Sequence, residues 1–244
     1  MKSHILQTDY RGKSIKSNIE TILFDFDGTI IDIRPKWKDP IQKAYRDVSG
    51  SIVGDLFSTD VESVFSTFPT KSNLFFKIKV LWALGRHGGL SILKSIHFIY
   101  KTSRYFKESK FINIPLQGVE HTIITLKERG YKIGIITSAG KDEIIEAKNQ
   151  LQFLRDIPYV SRNEVKKLKP DPESILLGIK LLNSTIETTL IVGDFTTDIS
   201  AGKAAGIETC GFLGVFPEIS QSLMEDVDPS IIISIIPELL EFFN

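Results

Sequence analysis

Asp25-Phe26-Asp27-Gly28-Thr29 sets two carboxylates two positions apart, directly after the apolar run Thr21-Ile22-Leu23-Phe24. A paired acid of this kind is either a metal and nucleophile site or an Asp-rich turn. The run before it reads as a buried strand. Side chains alternate along a strand, so both acids leave its end on one side while Phe24 and Phe26 face packing. Gly28 allows a sharp turn that brings amides close to whatever lies between the acids. In open α/β sheets, ligands bind in the crevice beyond the carboxyl ends of the strands. Asp and Gly are also common turn formers, so the pentad alone leaves both readings open.

Three further segments carry chemistry-bearing residues at element ends. Ile135-Ile136-Thr137-Ser138-Ala139-Gly140 places hydroxyls and a small-residue loop before a helix. Such a loop offers backbone N–H groups to an anion, although a simple Ser/Thr N-cap reads the same way. In Lys166-Lys167-Leu168-Lys169-Pro170-Asp171-Pro172-Glu173, the proline after Lys169 pushes that residue toward extended geometry and sets the direction of its side chain. Lys169 can then act as a point charge on a phosphate or carboxylate, whereas Lys166 and Lys167 read as surface residues. Leu190-Ile191-Val192-Gly193-Asp194 ends a buried strand on a carboxylate, and Asp198 follows where it could merely complement a helix dipole. Two bare carboxylates about 4 Å apart repel by roughly 4 kcal/mol at an effective dielectric near 20. Converging Asp25, Asp27 and Asp194 therefore requires protonation or a cation. All-oxygen ligands beside a phosphate point to Mg²⁺ rather than zinc.

The elements that must position these residues alternate. Ile22-Phe24, Ile133-Thr137, Leu190-Val192, Thr209-Leu213 and the short Pro158-Val160 read as strands, and Gly118-Arg129, Lys141-Leu151, Pro172-Leu182 and Asp198-Ala205 as helices. Gly130 and Gly206 follow two of those helices, where a left-handed cap is wanted. Alternation of this kind predicts an α/β fold with a doubly wound parallel sheet. Residues 34–111 are too many for one crossover and predict an inserted helical subdomain. The expected division is an α/β core of residues 17–33 and 112–244, a helical insertion of 34–111, and an N-terminal extension of 1–16. The insertion holds fourteen Lys or Arg against six Asp or Glu, about +8 in a chain of formal net charge zero. A basic lid of that kind would attract an anionic substrate.

At 244 residues and 42% hydrophobic, the chain can bury a large core. Its zero net charge argues against bulk binding to nucleic acid. A single cysteine, Cys210, allows neither an internal disulfide nor a cysteine metal cluster, and reads as a small core residue. The polar stretch Met1 to Asn18 does not read as a signal peptide, so the expected compartment is the cytoplasm. The most apolar region, Leu74 to Tyr100, is broken by charges and by Gly88-Gly89, which predicts a helix pair rather than a membrane span. That stretch leaves room for a dimer or membrane-surface contact. His4, His87, His97 and His121 lack ligand spacing, and Trp37 and Trp82 read as packing residues.

Asp25-Phe26-Asp27-Gly28-Thr29, Thr137, Lys169 with Pro170, and Gly193-Asp194 with Asp198 together resemble the four motifs of the haloacid dehalogenase superfamily. The position and composition of the insertion are similar to the helical cap of its phosphoglycolate phosphatase-like branch, and the tail Asp228 to Phe243 resembles that branch's closing helix. The resemblance implies a Rossmann-like core and a Mg²⁺-dependent phosphatase acting on a small phosphorylated metabolite, as a monomer or homodimer. It makes Asp25 the nucleophile that forms an aspartyl-phosphate, and Asp27 the general acid and then general base. Gly28, Thr137, Ser138 and Lys169 would hold the phosphoryl group. Asp25, the Asp27 backbone carbonyl and Asp194 would hold the metal, with Asp198 acting through water or by orienting Lys169. A phosphomutase differs only in how its cap excludes water. Haloacid dehalogenases lack the second acid of the first motif, because a halide leaves without a proton. A non-catalytic scaffold that displays the basic insertion is the alternative outside enzymology.

Overall fold

The structure, a computed structural model, describes residues 8–50, 74–108, 113–214 and 217–243. His4 and residues 51–73 and 109–112 of the insertion lie outside them. In chain order the elements are β1 (Thr21–Phe24), α1 (Ile33–Ser49), α2 (Leu74–His87), α3 (Ile92–Glu108), α4 (Val119–Glu128), β2 (Lys132–Ile136), α5 (Lys141–Gln150), β3 (Tyr159–Val160), α6 (Glu173–Leu181), β4 (Thr189–Gly193), α7 (Thr196–Ala205), β5 (Glu208–Phe212), α8 (Pro217–Val227), β6 (Ile231–Ile233) and α9 (Leu239–Phe242). Two compact units result, one of Met1–Asp32 with Asn113–Asn244 and one of Ile33–Ile112.

In the first unit six parallel strands run in the order β3-β2-β1-β4-β5-β6. The strands are buried on both faces, which is why their sequences are apolar runs rather than alternations. Ile22 and Phe24 of β1, with Leu190 and Val192 of β4, pack under α4 and α5 through Ile123, Leu126, Ile144 and Ala147. Leu23 and Ile191 point to the opposite layer, against Ile175 and Ile179 of α6 and Ala201 of α7. This is the doubly wound sheet expected from the alternation. α7 lies close enough that a Cβ on Gly202 would stand 2.5 Å from Ile191 Cγ2. Gly130 and Gly206 do take the left-handed conformation just past their helices, with φ of 93° and 78°.

Two expectations need correction. The tail is not a single closing helix, because Ile231–Ile233 pairs with β5 as a sixth strand before the short turns of Ile236–Glu238 and Leu239–Phe242. Three isoleucines carry no periodicity, so β-branching and the open edge of β5 decide their state. α7 also begins at Thr196, and Asp198 is its third residue, not its first.

The N-terminal segment closes the far edge of this sheet. Thr8 bridges Ser14, and the Asp9 carboxylate accepts the N–H groups of Arg11, Lys13 and Ile232 at 2.9, 3.0 and 3.0 Å, and the Arg11 Nε at 2.9 Å. Its side chain is wholly buried. Burial alone would raise its pKa, but the donors from Lys13, Arg11 and Ile232 hold it below the usual 3.8. The ionised form is therefore the stabilising one. Its contribution is complete above the ordinary carboxyl range and is lost as pH falls through the lowered folded value. Asp9→Ala is expected to cost about 1–3 kcal/mol at neutral pH, in thermal denaturation. The variant and the parent should converge in acid, and a constant gap would rule out the carboxylate as the cause.

In the second unit, α1, α2 and α3 bury Ile41, Ala44, Tyr45, Leu81, Leu84, Leu90 and Phe98. Tyr45 meets Phe98 edge to face at 6.0 Å, and its hydroxyl donates to the Gly88 carbonyl at the turn between α2 and α3. The apolar stretch from Leu74 to Tyr100 is thus two helices hinged at Gly88-Gly89. No helix among the described residues is long and apolar enough to cross a membrane.

Candidate active site

β1 and β4 are neighbours at the point where the strand order reverses, and Phe24 lies level with Val192. The residues that leave their carboxyl ends therefore enter one space. Asp25 follows β1, with its N–H on the Val192 carbonyl at 2.8 Å. Asp194 follows β4. Lys169 reaches the same space from the loop before α6, and its ammonium stands 2.5 Å from both Asp25 Oδ1 and Asp198 Oδ1. It also donates to the Ile136 carbonyl at the end of β2, at 3.2 Å. All three charged side chains are nearly inaccessible, at 5% for Lys169, 10% for Asp25 and 2% for Asp198.

Asp198 does two jobs with two oxygens. Oδ2 accepts the Phe195 N–H at 3.0 Å, capping α7, while Oδ1 holds Lys169. Its place at the helix end and its contact with Lys169 are therefore compatible. The loop that presents Lys169 is itself tied down, since the Glu173 carboxylate accepts the N–H groups of Lys166 and Lys167 at 3.0 and 2.9 Å. Lys166 and Lys167 are exposed, as expected of surface residues. The Lys169–Pro170 peptide is cis.

The space is crowded with negative charge. Ligand oxygens of Asp25, Asp194 and Asp198 all lie within 4.8 Å of one another. Burial pushes the Asp25 carboxyl up to about 7; Lys169 opposes that rise, while Asp198 and Asp27 add to it. Asp194 is raised well above its ordinary value by burial and by the charges of Asp25 and Asp198. Burial would lower Lys169, but Asp198 and Asp25 outweigh it and raise the ammonium pKa, so the lysine stays charged. One ammonium does not balance three acids. A cation that takes oxygen ligands fits this donor set, and hard carboxylates suit Mg²⁺.

Close approach explains the glycines. Gly28 has φ of 94°, and a Cβ there would stand 2.2 Å from Asp194 Oδ2. At Gly193 a Cβ would meet Asp198 Cβ at 2.4 Å. Thr29 fixes Asp194 from the other side, donating to Oδ1 at 2.9 Å and accepting the Asp194 N–H at 3.1 Å. In the sequence Thr29 places a hydroxyl directly after Gly28, a signal of a site residue, but only the fold shows which acid it serves.

The remaining expected site residues are placed as follows. Asp27 is half-buried, and its charge acts on Asp25; the acids that converge most closely are Asp25, Asp194 and Asp198. Thr137 is buried one residue beyond the carbonyl that holds Lys169, and its hydroxyl accepts the Ala139 N–H at 2.9 Å. Ser138 is exposed in the same turn. Cys210 is buried in β5, and His87, His97 and His121 are exposed.

Comparison with known proteins adds the following. The profile of a family described as haloacid dehalogenase-like hydrolase matches residues 22–212. The pyrophosphatase PpaX of Halalkalibacterium halodurans is 28% identical over 144 residues, 58% of this chain and 65% of that one. PpaX of Listeria welshimeri is 27% identical over 194 residues, 79% of this chain and 82% of that one. Among solved structures, the HAD-hydrolase YfnB of Bacillus subtilis, described as bound to magnesium, superposes with a TM-score of 0.68 at 20% identity, over 93% of this chain and all of that one.

Proposed function

The chain belongs to the haloacid dehalogenase-like hydrolase family, and from that premise we propose that it is a Mg²⁺-dependent phosphatase acting on a small phosphorylated metabolite through an aspartyl-phosphate. The observation that carries this reading is Lys169, which stands 2.5 Å from both Asp25 and Asp198 beside a carboxylate cluster at the ends of β1 and β4. Residues from three separate stretches thereby meet at one point. The pyrophosphatase relatives and the magnesium-bound neighbour agree with phosphoryl chemistry at such a point.

In the proposed reaction a carboxylate oxygen of Asp25 bonds to phosphorus as the bond to the leaving oxygen breaks. Asp27 gives its proton to that oxygen. It then takes a proton from water, whose oxygen attacks phosphorus and releases phosphate and free Asp25. Lys169 holds Asp25 in place and offsets charge on nucleophile and phosphate. Thr137, Ser138, Gly28 and the amides of the β2–α5 turn would hold the phosphoryl oxygens. Asp25, Asp194 and the Asp27 carbonyl would hold Mg²⁺, with Asp198 behind Lys169, and the ion when bound would supply charge neutralisation for the transferring group. On the same reading, residues 17–33 with 112–244 form the catalytic core, the basic helical residues 34–111 serve as the cap that selects the leaving group, and the protein works in the cytoplasm.

The reading is tested by assaying the purified protein against p-nitrophenyl phosphate and a panel of phosphorylated metabolites. Turnover is expected to fall at least ~10-fold with a chelator and to return with Mg²⁺. Undiminished turnover in chelator would remove the metal, and no turnover on any monoester would remove the phosphatase. Asp27→Asn separates this chemistry from dehalogenation. A p-nitrophenolate leaves without a proton but an alkoxide does not, so in the variant the formation of phosphorylated protein should slow about 10²–10⁴-fold with alkyl phosphates and far less with p-nitrophenyl phosphate, while its hydrolysis, for which Asp27 is the base, slows alike for both. Equal losses in that first step would deny Asp27 the role of acid.

A further inference from the structure

α3 carries an apolar face that the described residues of its own unit leave exposed. Its inward side buries Ser95, Phe98 and Thr102 completely, whereas Ile92, Leu93, Ile96 and Tyr100 are 59, 79, 54 and 62% exposed. At 100° per residue these four share one stripe roughly 100° wide, running two turns along the helix. Singly exposed apolar side chains are ordinary in proteins. Four large ones along one stripe of a helix make a continuous apolar surface of the kind that marks interaction sites.

Charge indicates what it meets. α3 bears Lys94, Lys101, Arg104 and Lys107 against Glu108, with Lys101 paired to Asp47 of α1 at 3.6 Å, within an insertion of about +8. Lys94 is exposed beside Leu93, and Arg104 is exposed one turn on from Tyr100. A second copy of the chain would set two strongly cationic units face to face. A bilayer rich in anionic phospholipid satisfies both features at once, with the apolar stripe at the acyl boundary and the cations among the headgroups. We propose that this face of α3 docks the protein reversibly on anionic lipid surfaces. The contact is peripheral, and it is independent of the proposed catalytic chemistry.

The test is cosedimentation of the full chain with vesicles of phosphatidylcholine alone and with added phosphatidylglycerol, at low and high salt. The expected bound fraction is at least ~10-fold higher on the anionic vesicles and falls with salt. The double variant Leu93→Ser/Ile96→Ser should lose that binding by a similar factor while keeping its thermal transition and its turnover of soluble substrate, since both side chains are solvent-facing. Lys94→Glu/Arg104→Glu should lose it as well, which guards against a folding defect in the first variant. Absence of binding to either vesicle overturns the proposal, as does binding unchanged in both variants. So does a wild-type dimer, seen by light scattering without vesicle binding, that the first double variant dissociates; that result would assign the face to a second copy.

Discussion

Asp25→Asn is expected to lower phosphatase turnover at least ~10³-fold while leaving the fold intact, the size of loss seen when a covalent nucleophile is removed. The replacement keeps a carbonyl oxygen that can accept the Lys169 hydrogen bond, so the site loses a nucleophile rather than its frame. It also removes one acid from a crowded cluster, where burial already makes the ionised form of Asp25 costly. The thermal transition should accordingly hold steady or rise. Stopped-turnover trapping should find a phosphorylated protein in the parent and none in the variant. Residual activity above about a tenth of the parent's would show that Asp25 does not form the covalent bond.

Lys169→Met is expected to damage both activity and stability. The ammonium is the cation shared by Asp25 and Asp198, and all three side chains are within a tenth of full burial. Removing one member of such a buried set typically costs about 3–5 kcal/mol, because the other charges are left uncompensated. The cost here is limited by the ability of the acids to take up protons. A fall in melting temperature on the order of 10 °C follows for a unit of this size. Turnover should drop about 10²–10³-fold, since positioning and charge neutralisation are what phosphoryl transfer asks of a protein. Lys169→Arg should recover stability better than activity, because a planar fork cannot bring one point charge to both acids as an ammonium does. A Lys169→Met variant with normal melting and normal turnover would separate this lysine from the chemistry altogether.

The contrast between Asp27 and Asp198 shows where reading along the chain stops. From spacing, Asp25 and Asp27 form the obvious pair, since both follow one strand. In the fold, Lys169 also links Asp25 to Asp198, more than 170 positions away, and Asp194 joins the same cluster. A strand end fixes the exit of its own next residues, but only the pairing of β1 with β4 sets what they face. The edge of the sheet makes the same point. Ile231–Ile233 looks like part of a helical tail until β5 offers it a ladder, and only the fold brings the Asp9 carboxylate to the N–H of Ile232.

The amino-acid order alone determined five of the six strands, four of the helices beside them and the residue types able to perform phosphoryl chemistry. Those properties are local: hydrophobic period, glycine and proline placement, and the side chains at element ends. Tertiary structure decided which acids share one ammonium, which threonine orients Asp194, how the tail completes the sheet, and which side of α3 stays open to solvent. Each of these depends on groups distant in sequence meeting at separations of a few ångströms, and no local pattern encodes a distance.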